Sequence, residues 1–290
     1  MSKAHYSDYG EVTTARCERA LVTLVGDIGP WSARVYLVGG LAPRYILGTL
    51  PEGTRPHMGT TDVDLVIGLA VDNESPEAYR TLENNLKKSG FEAESSFRWI
   101  KDVDGITVIV EFLCETDQVE PGRIFKPKDG TGSGLGAFNV RGAQLVTRDY
   151  TEAQIEADRL DDGGRSRVTV RVAGILSYTV LKILAFQDRH ENKDSYDLVY
   201  CLLNFGDGPE HAGRAAGESA IRSDPLVQEA LTLLANRFES ADHDGPRAYS
   251  SFLDDGDSDA EARRRQEAVA VIRQFIDSFS DTPQADRRSL

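Results

Sequence analysis

The sequence predicts an α/β (α+β) fold: a small mixed sheet flanked by helices, followed by a largely helical C-terminal part. Two apolar strands with a Gly-Gly turn between them lie in the first quarter of the chain, and a strand–turn–strand pattern follows near residue 100. From residue 174 to about residue 280 the apolar spacing is mostly helical. We therefore expect a sheet-bearing domain over residues 1–150 and a mainly helical domain over residues 151–290.

Each element follows from the period of its apolar residues and from the residues that end it. Helices are predicted where apolar residues recur every three or four positions, strands where apolar runs are short or alternate with polar residues, and loops where Gly and Pro cluster. The resulting order is helix 13–27, strand 34–38, helix 41–47, loop 48–59, strand 60–67, helix 76–89, strands 97–100 and 106–113, loop 121–142, strand 167–172, and helices 174–190 and 194–204. The remainder is predicted to be mainly helical, with an acidic linker or cap over residues 254–261.

Composition limits the class of protein. With 290 residues and 40% hydrophobic content, the chain can bury one large or two modest cores. No apolar run is long enough to cross a membrane, and the N-terminus lacks the apolar segment of a signal peptide. Cys17, Cys114 and Cys201 are widely separated and lack paired metal-ligand spacing, which favours a reducing cytoplasm without disulfides. The five scattered His residues argue against a zinc site.

Two carboxylates, Asp62 and Asp64, lie one residue apart in the second apolar strand. Residues i and i+2 of a strand point to the same face, so the two side chains project together. Neighbouring carboxylates repel unless a cation lies between them, and Mg²⁺ prefers carboxylate, phosphate and water oxygens. Two such ions about 4 Å apart would clamp the attacking and leaving oxygens of an in-line displacement. Glu111, in the apolar strand 106–113, is expected to add a third metal-binding carboxylate; the alternative is a Glu that faces solvent.

Gly39 and Gly40 separate the first apolar strand from the helix that follows it. Without a Cβ atom their backbone can approach a phosphate closely, and the first N–H groups of a helix favour an anion. A plain tight turn is the alternative interpretation. The order of strand, glycine pair, helix and Asp-x-Asp strand predicts a site for a nucleoside triphosphate and its magnesium, and therefore nucleotidyl transfer.

A second cluster of charged residues lies in the predicted helices of the C-terminal part. Lys182 is inside the apolar run 180–186, so its ammonium either extends along the helix to solvent or meets a buried anion. Lys193 and Asp197 are four residues apart on one helical face, a spacing that is also typical of a surface ion pair. A triphosphate and a positioning Asp would also satisfy Lys182.

Taken together, these motifs resemble the AbiEii-type nucleotidyltransferases, the toxin half of bacterial type IV toxin–antitoxin pairs and members of the polymerase-β-like superfamily. The resemblance covers about residues 33–205 and rests on Gly39-Gly40, Asp62-x-Asp64, Lys182 with Ala185, and Lys193-Asp194-x-x-Asp197-Leu198. It implies a polymerase-β-like core in which Asp62 and Asp64 hold Mg²⁺, Lys182 contacts the nucleotide phosphates and Asp194 is essential. The nucleotide-binding set that it implies is Gly39, Gly40, Thr61, Lys182 and Asp197.

The resemblance also implies an acceptor and a partner. The acceptor would be RNA, in particular the 3′ end of tRNA, whose blocking halts translation, and a cognate antitoxin would be a protein partner. The net charge of −14 argues against general nucleic-acid affinity, but two segments, residues 121–150 and 163–193, are locally basic. Their basic residues are Arg123, Lys126, Lys128, Arg141, Arg148, Arg165, Arg167, Arg171, Lys182, Arg189 and Lys193. They form either a groove that follows a phosphate backbone or separate solvated side chains.

Three other functions are compatible with the same motifs. A nucleotidyltransferase acting on a small molecule, such as an antibiotic hydroxyl, suits the acidic charge because a cationic substrate would be attracted to it. A protein-modifying antitoxin that adenylylates a partner is the second. A catalytically inactive binding module is the third, and replacement of Asp62 separates it from the enzymes.

Overall fold

The computed structural model describes residues 10–67, 76–127, 133–160 and 163–283. They form two compact units, which we call the sheet unit (residues 10–45 and 58–173) and the helical unit (residues 46–57 and 174–283). A mixed sheet and helices are present, as the sequence predicts. Lys128, one of the predicted basic residues, and the chain after residue 283 lie outside the described residues.

The sheet unit carries every strand found in the described residues. Its elements are α1 Glu11–Asp27, β1 Val35–Val38, β2 Asp62–Ile67, α3 Pro76–Lys88, β3 Glu92–Ala93, β4 Arg98–Val103, β5 Ile106–Cys114, β6 Ile124–Phe125, β7 Ala137–Asn139, β8 Tyr150–Asp158 and β9 Arg165–Ala173, with the short α2 Pro43–Ile46 at the unit boundary. The strand order is β3-β4-β5-β2-β1-β9-β8, and the pair β6–β7 joins through β5. Helix α1 packs on β2, β5, β8 and β9.

The centre of the sheet is mixed in direction. β2 runs parallel to β5 and antiparallel to β1, while β1 runs parallel to β9. In β2 the buried Val63 and Leu65 alternate with the half-buried Asp62 and Asp64, so that the apolar side chains enter the core. The period of two thus separates a core-facing set from an acidic set on the opposite face.

A tight turn fixes the register between β4 and β5. Asp104 and Gly105 have φ angles of 52° and 78°, the left-handed conformations that a two-residue type I′ hairpin needs. Because Val103 pairs with Ile106 across this turn, counting outward places Arg98 opposite Glu111. The sequence Asp-Gly at the turn therefore determines which side chain lies next to Glu111.

Two local expectations need correction. The helix expected over residues 41–47 is a 3-10 turn at Gly39–Leu41 followed by the four-residue α2, which ends before Gly48 with its left-handed φ of 63°. One helical turn is too short for an appreciable macrodipole.

Strand β8 was not predicted, because Ile155 is its one fully buried residue and the strand forms through pairing with β9. This hairpin extends the sheet unit to Ala173, beyond the boundary expected at residue 150.

The helical unit contains six helices among the described residues. They are α4 Ile175–Arg189, α5 Asn192–Asn204, α6 Pro209–Glu218, α7 Pro225–Arg237, α8 Asp244–Phe252 and α9 Ser258–Asp281. Helix α5 packs against α4, α6, α8 and α9. The predicted acidic cap is confirmed at Asp257, whose carboxylate accepts hydrogen bonds from the first backbone N–H groups of α9.

The expectations on membrane-spanning segments and on the three cysteines can also be compared with the described residues. Within them, no helix combines the length and the hydropathy that a bilayer-spanning segment requires. Cys17, Cys114 and Cys201 are buried free thiols.

Candidate functional site

Asp62, Asp64 and Glu111 lie on one face of two neighbouring strands, and we call these three residues the acidic face. Asp64 is the register partner of Glu111 across the parallel pair of β2 and β5. Asp62 precedes Asp64 by two residues and therefore points to the same side. All three are half-buried, so their carboxylates reach the surface of the sheet unit. The structure thus places the three predicted metal-binding residues on the same face of two paired strands.

The glycine turn packs directly on this face. Val38, the last residue of β1, pairs with Asp64, and Gly39 follows it with a φ of 67°. A Cβ atom on Gly39 would lie 2.6 Å from Cγ of Asp64 and would overlap its carboxylate oxygen. Position 39 therefore needs glycine both for its backbone conformation and for the approach of Asp64. Gly40 is buried in the same 3-10 turn.

Two threonines orient Asp62 at the start of β2. The Thr61 hydroxyl donates to Oδ1 of Asp62 at 2.9 Å. The backbone N–H of Asp62 donates to Oγ1 of Thr60 at 3.1 Å. Thr61, which the family resemblance places in the nucleotide-binding set, thus contacts a predicted metal ligand.

Glu111 is held by an arginine from the adjacent strand. Nε of Arg98 donates to Oε1 of Glu111 at 2.5 Å, and Nη1 of Arg98 lies 3.3 Å from Oε2 of Glu94. Burial opposes the charge of Arg98, but Glu111, Asp62 and Glu94 outweigh it and raise the pKa of Arg98. The carboxylate oxygens of the acidic face suit Mg²⁺ chemically. Within the described residues, however, no group of three or more His, Cys, Asp or Glu side chains is arranged to hold a metal ion. Glu111 as a metal ligand stays a prediction.

The predicted charged cluster of the C-terminal part is a buried network inside the helical unit. Nζ of Lys182 lies 3.1 Å from Oδ1 of Asp194 and 2.6 Å from Oδ2 of Asp197. Two cations nearer the surface complete the network: Arg189 donates twice to Asp194 at 2.7 Å, and Lys193 contacts both oxygens of Asp197 at 3.1 and 2.9 Å. Lys182 therefore meets buried anions, one of the two alternatives that the sequence left open.

The network shifts the pKa values of its members. Burial alone would lower the pKa of Lys182, but Asp197 and Asp194 together raise it. Burial would raise the pKa of Asp197, yet Lys182, Lys193 and His57 hold that pKa well below its usual value. Lys182 and Arg189 likewise hold the pKa of Asp194 below its usual value against burial. The lysine and both carboxylates are therefore charged at neutral pH.

The segment 46–57, which precedes the Asp-x-Asp strand in sequence, is attached to α5. Nε2 of the buried His57 lies 2.9 Å from Oδ1 of Asp197. The His57 ring stacks on Tyr196 at a centroid distance of 5.3 Å, and the Tyr200 hydroxyl donates to the Arg55 carbonyl at 2.6 Å. Burial lowers the pKa of His57 further than its contact with Asp197 raises it. The loop is thus anchored by the same aspartate that binds Lys182.

The basic residues of segment 163–193 are engaged with carboxylates. On β9, Arg165 and Arg167 both pair with Glu156 of β8, and Arg171 lies 3.4 Å from Glu152. Lys182, Arg189 and Lys193 pair with Asp194 and Asp197 in the buried network. The positive charge of this segment is therefore largely neutralised locally. Arg123, Lys126, Arg141 and Arg148, from the other predicted basic segment, are exposed.

A surface cavity of about 620 Å³ lies elsewhere in the sheet unit, beside the loop that follows β5. Its lining includes Glu115, whose two carboxylate oxygens accept hydrogen bonds from the backbone N–H groups of Gly142 and Gln144. None of the predicted site residues lines it. The Glu115 carboxylate thus fixes the start of a 3-10 helix over Ala143–Thr147, which is a structural role.

Two residues of these clusters were not recognised from the sequence. Arg98 could have been found by counting outward from the Asp104–Gly105 turn, since the register of a two-residue hairpin pairs it with Glu111. His57 had no such signal, because its partner Asp197 is 140 residues away in the chain.

No family model matches this chain, and neither the curated proteins nor the solved structures contain a match to it.

Proposed function

We propose that this protein is a magnesium-dependent nucleotidyltransferase that transfers NMP from an NTP to an acceptor hydroxyl. The observation that supports this best is the packing of Gly39 against the Asp64 carboxylate, with Asp62 on the same face. The glycine turn, where backbone can approach a ligand closely, and the carboxylates in contact with it would offer neighbouring positions to a phosphate chain and to Mg²⁺. When bound, Mg²⁺ would neutralise phosphate charge and orient the reacting oxygens.

The roles of the chain's own residues follow from their contacts. Asp62 and Asp64 would hold the metal, and Thr61 would fix the orientation of Asp62. Lys182 is the proposed contact to the nucleotide phosphates, and an ammonium has three donors. Two of the N–H donors of Lys182 point at Asp194 and Asp197. A phosphate oxygen would therefore accept from the third N–H donor or replace one carboxylate oxygen as acceptor. Asp194 would act by holding Lys182 and Arg189.

We propose RNA, in particular the tRNA 3′ end, as the acceptor, with a toxin activity and a cognate antitoxin as consequences. This part rests on the sequence resemblance and on the exposed Arg123, Lys126, Arg141 and Arg148. A small-molecule acceptor is the second candidate. The observation that favours it is the pairing of Arg165, Arg167 and Arg171 with acidic residues of β8, which leaves less positive charge for a phosphate backbone.

The test is a labelling assay with purified protein, Mg²⁺, each α-labelled NTP in turn and total bacterial tRNA. Asp62→Asn and Asp64→Asn are expected to abolish label transfer while the far-UV circular dichroism stays unchanged. Glu92→Gln is the matched control, because it neutralises an exposed carboxylate on β3 of the same sheet. Glu92→Gln is expected to retain full transfer.

The outcomes separate the candidates. Label on tRNA that requires both Asp62 and Asp64 supports the RNA acceptor. Label that appears only when tRNA is replaced by a cationic amino-sugar supports the small-molecule acceptor. NTP binding without transfer to either substrate would contradict both acceptors, and turnover that survives both substitutions would contradict the proposed site.

A further inference from the structure

The three carboxylates of the acidic face need a counter-cation. Asp64 and Glu111 are direct register partners, and Asp62 is two residues from Asp64 on the same side. Like charges directly opposite each other destabilise a sheet unless a positive charge lies near them. A positive charge is therefore expected at this face even without a metal ion.

Arg98 supplies that charge. It is the cross-strand partner of Glu111 on β4, and Nε of Arg98 bonds Oε1 of Glu111 at 2.5 Å. The charge of Asp62 also acts on Arg98, so the guanidinium interacts with two members of the acidic face. A guanidinium–carboxylate hydrogen bond is among the stronger polar contacts in proteins. The Arg98 side chain is 37% exposed, which leaves room for it to move.

We propose that Arg98 is the resident counter-cation of the acidic face and that a divalent cation bound at Asp62 and Asp64 competes with it for Glu111. This inference rests on the proposed function in one respect, namely that Asp62 and Asp64 bind the metal. A carboxylate oxygen bonded to a guanidinium cannot bind a metal ion in the same direction, and the positive charge of Arg98 repels an incoming cation. Arg98 thus sets the metal affinity of the site and determines when Glu111 becomes a ligand.

The test measures Mn²⁺ binding by electron paramagnetic resonance, with Mn²⁺ as the probe for a divalent cation. Arg98→Gln removes the competing charge, and Arg98→Lys keeps the charge but not the planar fork. A unit charge several ångströms from a divalent ion in a water-like dielectric changes its affinity about tenfold. We therefore expect Arg98→Gln to bind Mn²⁺ about tenfold more tightly and Arg98→Lys to remain near the wild type.

The matched control is Arg44→Gln, which removes an arginine of the same unit whose ion-pair partners are Glu11 and Glu18 of α1. It should leave the Mn²⁺ affinity unchanged. Addition of Asp62→Asn should abolish Mn²⁺ binding in both the wild type and Arg98→Gln. If Arg98→Gln does not fold, the Nε–H resonance of Arg98 in wild-type protein, identified by its loss in Arg98→Lys, should shift when Mg²⁺ is added.

The results distinguish the inference from the function on which it rests. Mn²⁺ binding that requires Asp62 but does not tighten in Arg98→Gln would overturn the role of Arg98 and leave the metal site intact. If the Nε–H resonance of Arg98 does not shift when Mg²⁺ is added, in a protein that binds Mn²⁺ through Asp62, the role of Arg98 is likewise overturned and the metal site stays intact. Absence of Mn²⁺ binding in both wild type and Arg98→Gln would overturn the metal site itself, and the proposed function with it.

Discussion

Nζ of Lys182 lies 2.6 Å from Oδ2 of Asp197, and the two side chains are 8% and 0% exposed. A lysine inside an apolar helix face is tolerated here because its ammonium ends between two aspartates of the next helix. The contact joins α4 to α5, and through His57 it also holds the segment 46–57. Lys182 therefore has a structural role that any role in phosphate binding has to accommodate.

Lys182→Met is expected to lower the free energy of unfolding by about 3 kcal/mol, because loss of one partner leaves buried carboxylates with less compensation. Both Asp194 and Asp197 are nearly inaccessible, so water cannot easily replace the ammonium. Urea unfolding followed by circular dichroism measures the loss. Surviving helical structure in the variant would allow its NTP affinity to be measured separately.

Arg247→Met is the control for this substitution. Arg247 pairs with Asp242 at 3.4 Å, and the two side chains are 56% and 84% exposed. Exposed pairs contribute about 0–1 kcal/mol, so the variant should unfold close to the wild-type urea concentration. If Lys182→Met and Arg247→Met lower the free energy of unfolding by equal amounts, the Lys182 network does not stabilise the helical unit.

His57 is expected to make the protein less stable as the pH falls below neutrality. Burial holds the pKa of His57 below its usual value, so the unfolded chain binds more protons than the folded one between that lowered pKa and about 6.5. The stabilisation is complete above about pH 6.5 and is lost as the pH falls towards the folded-state pKa. Urea midpoints at pH 7.5 and 5.5 should therefore differ more in the wild type than in His57→Gln, whose side chain does not titrate.

Two features isolate the effect of His57. The pKa values of Asp194 and Asp197 are depressed, so their contributions are lost only as the pH falls below about 4, outside this window. His243→Gln is the matched control because this histidine of the same unit is 38% exposed beside Glu239. If His57→Gln keeps the full wild-type pH dependence, protonation of His57 is not its source.

The shared face of Asp62 and Asp64 could be predicted from the sequence because the geometry along one strand is local. Alternation along β2 places both carboxylates on one side and places Val63 and Leu65 on the other side, in the core. Glu111 joins them only through the parallel pairing of β2 with β5. The position of Gly39 beside Asp64 depends in addition on antiparallel pairing of β1 with β2, and the long connection over residues 39–61 does not determine that pairing.

The remaining features depend on which residues face each other across neighbouring strands. β8 has little apolar alternation and forms through its antiparallel pairing with β9, which places its acidic residues beside arginines. The same pairing explains why a locally basic sequence does not give a positive surface there. Local charge counts omit cross-strand neighbours, so the balance between Glu156 and its two arginines becomes visible only with the register.

Gly213→Ala is expected to destabilise the helical unit by about 2 kcal/mol, although alanine favours a helix. A Cβ atom at this position would overlap the Phe275 carbonyl oxygen and lie 2.8 Å from Cβ of Ser278. These atoms belong to α9, which crosses α6 closely at this point. Arg214→Ala, at the exposed neighbouring position, should change the stability by less than about 0.5 kcal/mol in the same urea titration. A neutral Gly213→Ala would show that α9 can move away without loss.

Gly39→Ala is expected to impair both stability and metal binding. Its φ of 67° strains any residue with a Cβ, at a cost of about 1 kcal/mol, and the added methyl group would displace the Asp64 carboxylate. Gly122→Ala is the matched control, because Gly122 has a φ of 80° in the same unit but no heavy atom within 4 Å of the position that a Cβ atom would take. Both variants should therefore share the backbone strain. Only Gly39→Ala should also weaken Mn²⁺ binding, by at least about tenfold, because only there does a carboxylate ligand have to move. Equal Mn²⁺ affinities in the two variants would show that the approach of Gly39 to Asp64 is a packing feature and not part of a metal site.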